Sequence, residues 1–146
     1  MRLVLDTNTV LALWHYQDPA LTPLRLAIQS DDWLCFARQD SLAEFERVLG
    51  YPQFKLTPQA QNDLYQAYSG CIQLCPSPSP IDPLPYPLPQ CKDRDDQKFL
   101  EISRDAQAHC LLTRDKLLLK LSRHKNIRER FKILRPEQFV EQGLTC

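Results

Sequence analysis

The chain has no net charge: its 146 residues carry 18 Lys and Arg against 18 Asp and Glu. A neutral chain has no global field to draw in a polyanion, so nucleic-acid binding would have to come from local segregation of charge. No apolar stretch approaches the ~20 residues of a membrane helix. The run Leu3-Val4-Leu5 is broken at Asp6 and no cleavage-site pattern follows, so the N-terminus does not read as a signal peptide. Both absences point to a soluble, cytoplasmic protein with no membrane partner. Zinc spacing is also missing: Cys71 and Cys75 lie four apart, with no second Cys/His pair to complete a structural site. No secretory context supports disulfides. Cys35 and Cys110 read as small buried hydrophobes in strand-like runs. There is no internal repeat, and neither half has strands and helices enough for a core of its own. Residues 1–146 therefore read as a single domain.

What is present is alternation. Leu3–Leu5, Trp33–Ala37, Cys110–Thr113 and Phe131–Leu134 read as strands, with Ile72–Leu74 as a short edge strand. Helical stretches separate them. Thr9–His15 follows the first strand, and Leu24–Ile28 belongs to a helix begun near Thr22-Pro23, since Pro suits a first turn. Ser41–Leu49 places Leu42, Phe45, Val48 and Leu49 on one face, stopped by Gly50-Tyr51-Pro52. Thr57-Pro58 opens a helix through Tyr68. Asp95–Ala108, Leu117–Leu121 and Pro136–Gln142 complete the set. Strands alternating with helices argue for a parallel α/β sheet. Pro76 to Pro89 holds seven prolines in fourteen residues, which excludes helix and central strand. It reads as a stiff surface connection or as a docking site for a partner.

Carboxylates mark the strand ends. Asp6 ends the first strand abruptly, and a buried Asp is costly unless hydrogen-bonded, paired or on a metal. In open α/β sheets that edge is where ligands bind. Asp6 is open to two readings, a helix N-cap or a metal ligand, with Asn8 as a supporting partner. Glu44 stands three after Ser41, so it is either the return half of a capping box or an acid turned into the cleft. Asp93, Asp95 and Asp96 open a helix, where the macrodipole favours one or two acids, and three in four residues exceed that need. Asp115 follows a buried strand directly, as Asp6 does. Carboxylates gathered at one edge suit hard divalent cations and metal-assisted phosphodiester cleavage. Nine of the eighteen basic residues lie between Arg114 and Arg135, with only Asp115 and Glu129 opposing them. That stretch is either a solvated face or a surface for a polyanion.

Leu3-Val4-Leu5-Asp6-Thr7-Asn8, Ser41-Leu42-Ala43-Glu44-Phe45, Asp93-Arg94-Asp95-Asp96-Gln97-Lys98-Phe99-Leu100 and Thr113-Arg114-Asp115-Lys116, taken in order, resemble the PIN domain family. The nearest branch is that of toxin components of toxin–antitoxin systems. The resemblance implies a three-layer α/β/α fold with a central parallel sheet, and a cleft binding Mg²⁺ or Mn²⁺. It implies endonucleolytic cleavage of single-stranded RNA, an antitoxin protein as partner and a homodimer. Carried over, Asp6, Glu44, Asp96 and Asp115 form the catalytic quartet, with Asp6, Asp96 and Asp115 on the metal. Asn8, Asp93 and Thr113 are accessory, and Asp93 is the alternative to Asp96. Arg114, Lys116 and Lys120 are the candidate RNA-binding cations. Arg114 stands where the family often has Gly, free to bind a phosphate or to pair with a carboxylate. Two other functions stand beside this one. A catalytically degenerate PIN-like protein- or RNA-binding module would keep the fold and gain little from a metal. A phosphatase using Asp6 as nucleophile needs a second acid two residues on, where Asn8 stands.

Overall fold

The structure is a computed structural model and describes residues 1–76 and 85–146. Most of the proline-rich connection, residues 77–84, lies outside the described residues. Five strands form one sheet: β1 (Arg2–Leu5), β2 (Leu34–Ala37), β3 (Ile72–Leu74), β4 (Cys110–Leu112) and β5 (Lys132–Leu134). Their order is β3-β2-β1-β4-β5, and every pairing is parallel. The principal helices are α1 (Thr7–Trp14), α2 (Thr22–Gln29), α3 (Gln39–Leu49), α4 (Pro58–Ser69), α5 (Gln97–Asp105), α6 (Lys116–Leu119), α7 (Lys125–Arg128) and α8 (Pro136–Glu141).

The period-2 rule of a strand sorts β1 into two cores. Leu3 and Leu5 join Leu13, Ile28, Phe45, Tyr68 and Phe139 on one face. Val4 turns to the other, with Phe99, Leu100, Ile102, Leu111, Leu118 and Ile133. Helices α1–α4 and α8 therefore cover one side of the sheet and α5–α7 the other, which is the expected α/β/α layering. Each fully buried Leu or Ile contributes roughly 1.5–3 kcal/mol of transfer free energy. Apart from exposed Arg2, the central strands β1, β2 and β4 are apolar because both faces are covered.

Several boundaries differ from the sequence reading. Helix α3 begins two residues earlier than Ser41, so Ser41 is its third residue. The Ser41 hydroxyl accepts the Arg38 N–H at 2.9 Å, which is the return bond of the capping box. Glu44 is thereby released from capping, and a Ser41–Glu44 box is not formed. Helix α5 starts at Gln97 after a 3₁₀ turn (Arg94–Asp96) and ends at Asp105, short of Ala108. Gln107 ends it in a left-handed conformation. Cys110 is not a free buried thiol. It is disulfide-bonded to Cys146, with Cα atoms 6.2 Å apart, because the chain beyond α8 folds back onto β4. Local sequence pattern holds no sign of that long-range return. No helix among the described residues is long and apolar enough to cross a membrane.

Candidate metal centre

The sheet order reverses direction at β1. Chain connections leave toward β2 and β3 on one side and arrive at β4 and β5 on the other, so β1 and β4 flank a topological switch point. Asp6 follows β1 there, and Thr113-Arg114-Asp115 follows β4. The Asp6 N–H donates to the Leu112 carbonyl at 3.3 Å, which joins the two strand ends.

Asp6 is 4 % exposed. One carboxylate oxygen accepts the Thr9 N–H at 2.9 Å, and so caps α1. The other accepts the Thr113 hydroxyl at 2.5 Å. Thr113 is fully buried, and its oxygen also accepts the Asp115 N–H at 2.9 Å. A single hydroxyl thus links Asp6 to Asp115. Asp115 caps α6 through the Leu117 N–H at 2.8 Å. Across from it, Asp93 caps the 3₁₀ turn by accepting the Asp95 N–H at 3.0 Å. The segment leading in is held by Gln97, whose amide accepts from Cys91 N–H at 2.7 Å and donates to the Pro89 carbonyl at 3.1 Å.

Ligand atoms of Asp93, Asp96 and Asp115 lie within 4.8 Å of one another. Three carboxylates that close, with oxygen donors only, fit a hard divalent cation. The sequence reading had Asp6 in place of Asp93. In the structure Asp6 stands behind the trio, its oxygens committed to Thr9 and Thr113. Glu44, on α3, lies outside the trio and meets other partners. It accepts the Thr7 hydroxyl at 3.1 Å and pairs with Lys98 at 2.8 Å. Lys98 also donates to the Asp95 carbonyl. In the sequence Lys98 belongs to the Asp93–Leu100 motif. Its place two after Asp96, at the start of α5, was the available signal.

Electrostatics reflect the crowding. Burial, opposed by bonds from Thr113 and Thr9, holds the Asp6 carboxyl above its ordinary range. Asp96 is pushed up to about 8, first by burial and then by the hydrogen bond and charge of Asp115. Asp115 is drawn down by the Asp96 hydrogen bond. The pair shares one proton, as like carboxylates at short range must. An acid whose folded value is raised costs stability once the unfolded chain can ionise and the folded one cannot. The metal-free protein should therefore lose stability as pH rises from about 4 to about 8, and level off above. Thermal unfolding across that range, with Asp96→Asn flattening the slope, checks this.

The remaining candidates lie apart. Asn8 is exposed on the first turn of α1. Lys116 and Lys120 are exposed on and just after α6. Arg114 reaches away from the trio, donating to Asp18 at 3.1 Å and pairing closely with Glu137. A groove of about 410 Å³ between α3 and α5 is lined by Arg38, Arg47, Arg94 and Lys98, together with Asp40, Glu44, Asp95 and Glu101. These cations were not singled out in the sequence, where acids intersperse them.

Residues 2–117 match the family model described as PIN domain. The chain belongs to the PIN domain family. The match spans β1 to the start of α6 and includes all four acids of the proposed quartet. No curated protein matches the chain with significant similarity. PIN membership implies nuclease-type function, typically metal-dependent, and the carboxylate trio supplies a cluster of the required kind.

Proposed function

We propose that this PIN domain is a Mg²⁺- or Mn²⁺-dependent endoribonuclease acting on single-stranded RNA, and the toxin of a type II toxin–antitoxin pair. The observation that carries the nuclease reading is the convergence of Asp93, Asp96 and Asp115 at the β1/β4 switch point, backed by buried Asp6. Asp96 and Asp115 would hold the metal, with Asp93 or Asp6 as the third acid. A bound divalent ion would offset the carboxylate charge and polarise the phosphodiester for attack by water.

The chain's own groups have separate tasks. Thr113 orients Asp6 and Asp115 through one hydroxyl. Glu44 is held by Thr7, next to Asp6 in the chain, and by Lys98, and would order a water. The Lys98 ammonium, paired with Glu44 and bonded to the Asp95 carbonyl, is a cation suited to a phosphate oxygen. Lys116 and Lys120 remain candidate RNA contacts, whereas Arg114 is engaged by two carboxylates. The RNA substrate, the toxin role, an antitoxin that blocks the cleft and a homodimer rest on the motifs shared with the family's toxin branch.

A degenerate binding module is the second reading, and one observation favours it: Lys98 already neutralises Glu44. The two part on metal binding. A site saturated at a hundred times its Kd gains about 2.7 kcal/mol of stability. Mn²⁺ titration by thermal shift should raise the Tm of wild type and not of Asp96→Asn. Of Asp6→Asn and Asp93→Asn, the variant that loses the shift identifies the third acid. Labelled single-stranded RNA should be cut with Mn²⁺ and spared with EDTA. No shift and no cleavage in wild type would leave the binding module standing.

A further inference from the structure

We propose that Arg114 is a positioning residue for the acidic centre, and that through it the C-terminal helix α8 becomes part of the working site. The inference rests on the metal-centre reading above and adds a residue and an element to it. Helix α8 lies outside the stretch matched to the family.

The need for such a residue follows from how Asp115 is carried. Strand β4 ends at Leu112, and the last tie to β5 is the Thr113 N–H on the Leu134 carbonyl at 3.0 Å. Asp115 then caps α6, a single α-turn of four residues that loosens at once into a 3₁₀ turn (Lys120–Arg123). One turn of helix has no independent stability, so α6 cannot fix the direction of its own cap. The orientation of Asp115 must come from what surrounds it.

Arg114 sits between Thr113 and Asp115, and its guanidinium grips two anchors. One is Asp18, beyond α1, fixed by its N–H on the Ala12 carbonyl at 3.0 Å and by its cap on Ala20 N–H at 3.0 Å. The other is Glu137, in the first turn of α8. Neither belongs to the carboxylate trio, so the side chain pulls away from the metal site while its backbone presents Asp115 toward it. The chain beyond α8 is tied to the same strand a second time, by the Cys110–Cys146 disulfide. An Arg held by two carboxylates is a poor receptor for a phosphate, because both of its neutralising partners would have to be displaced. All three side chains are about a third exposed, so the cluster adds little to global stability and its loss is read locally.

Amide hydrogen exchange of the metal-free protein tests this, on wild type, Arg114→Ala, Glu137→Ala and Arg114→Lys. Both alanine variants should exchange the Asp115 and Leu117 amides about threefold faster or more, with Leu3–Leu5 unchanged, and Arg114→Lys should recover part of the protection. Mn²⁺ affinity should weaken in both alanine variants. Unaltered exchange at Asp115 and Leu117, or uniform acceleration across the protein, would overturn the proposal. So would opposite effects of Arg114→Ala and Glu137→Ala on RNA affinity, since freeing a phosphate-binding Arg should strengthen binding. Failure of the metal-centre reading is recognised separately, by wild type that does not bind Mn²⁺, and the exchange result still decides whether Arg114 holds the turn.

Discussion

Asp115→Asn is expected to abolish Mn²⁺-dependent RNA cleavage while leaving the metal-free fold as stable as wild type or more so. The substitution separates two jobs. As a cap, Asp115 accepts the Leu117 N–H at 2.8 Å, and the Asn carbonyl does this equally well. As an acid, it lies within 4.8 Å of Asp93 and Asp96, and its charge helps to push the Asp96 carboxyl up, a crowding that costs stability until a cation offsets it. Asn removes that repulsion and also removes an anionic ligand. The loss of cleavage should exceed the ten- to hundredfold typical of groups that only support a metal's ligands. Cleavage rates at saturating Mn²⁺, set beside metal-free thermal unfolding, check both halves. Activity within tenfold of wild type would remove Asp115 from the centre and with it the present account of the site. A collapse in Tm without metal would mean that capping, not coordination, explains the residue.

The layering was legible because it depends on local signals. Alternating apolar runs and amphipathic stretches fix strand and helix order, and parallel strands then demand helices on both faces. Helix ends were less legible. Ser41 and Glu44 satisfy the spacing of a capping box, yet Arg38-Gln39-Asp40 extends α3 backward and gives Ser41 the inner position. Pattern alone does not choose between two starts one turn apart. The Cys110–Cys146 bond joins residues 36 apart and depends on the path of the chain after α8. Nothing near either cysteine encodes that path.

Legibility of the site was also uneven. Asp6 and Asp115 stand out because each ends a buried strand, and the sheet order brings β1 and β4 side by side. Asp93, Asp95 and Asp96 fall within four residues, and only the 3₁₀ turn decides which two face Asp115. The pairing of Asp93 with Asp96 is a three-residue step round that turn, where side chains three apart align. Arg114 was open to two fates in the sequence, and its partners Asp18 and Glu137 lie 96 and 23 positions away. The pairing of Lys98 with Glu44 likewise joins two helices, α5 and α3, whose contact no local rule supplies.

Thr113→Val should cost about 1–3 kcal/mol of stability and weaken Mn²⁺ binding roughly ten- to hundredfold, whereas Thr113→Ser should do little of either. Valine matches the shape of threonine and fills the same fully buried space, so packing is kept. What is lost is one oxygen with two bonds: its proton on Asp6, and its lone pair on the Asp115 N–H. Asp6 is left buried with a single donor, and a buried carboxylate short of donors is costly while ionised. Its carboxyl is already held above the ordinary range by burial, and loss of the Thr113 bond pushes it further. The destabilisation should therefore grow with pH, since the folded protein must either ionise Asp6 without its partner or keep a proton that the unfolded chain releases. Urea denaturation of wild type, Thr113→Val and Thr113→Ser at pH 5 and pH 8 measures that dependence. An equal loss at both pH values would assign the hydroxyl to the Asp115 backbone alone. A loss that deepens at pH 8 ties it to Asp6, and makes Thr113 the group that couples the two strand-end acids before any metal arrives.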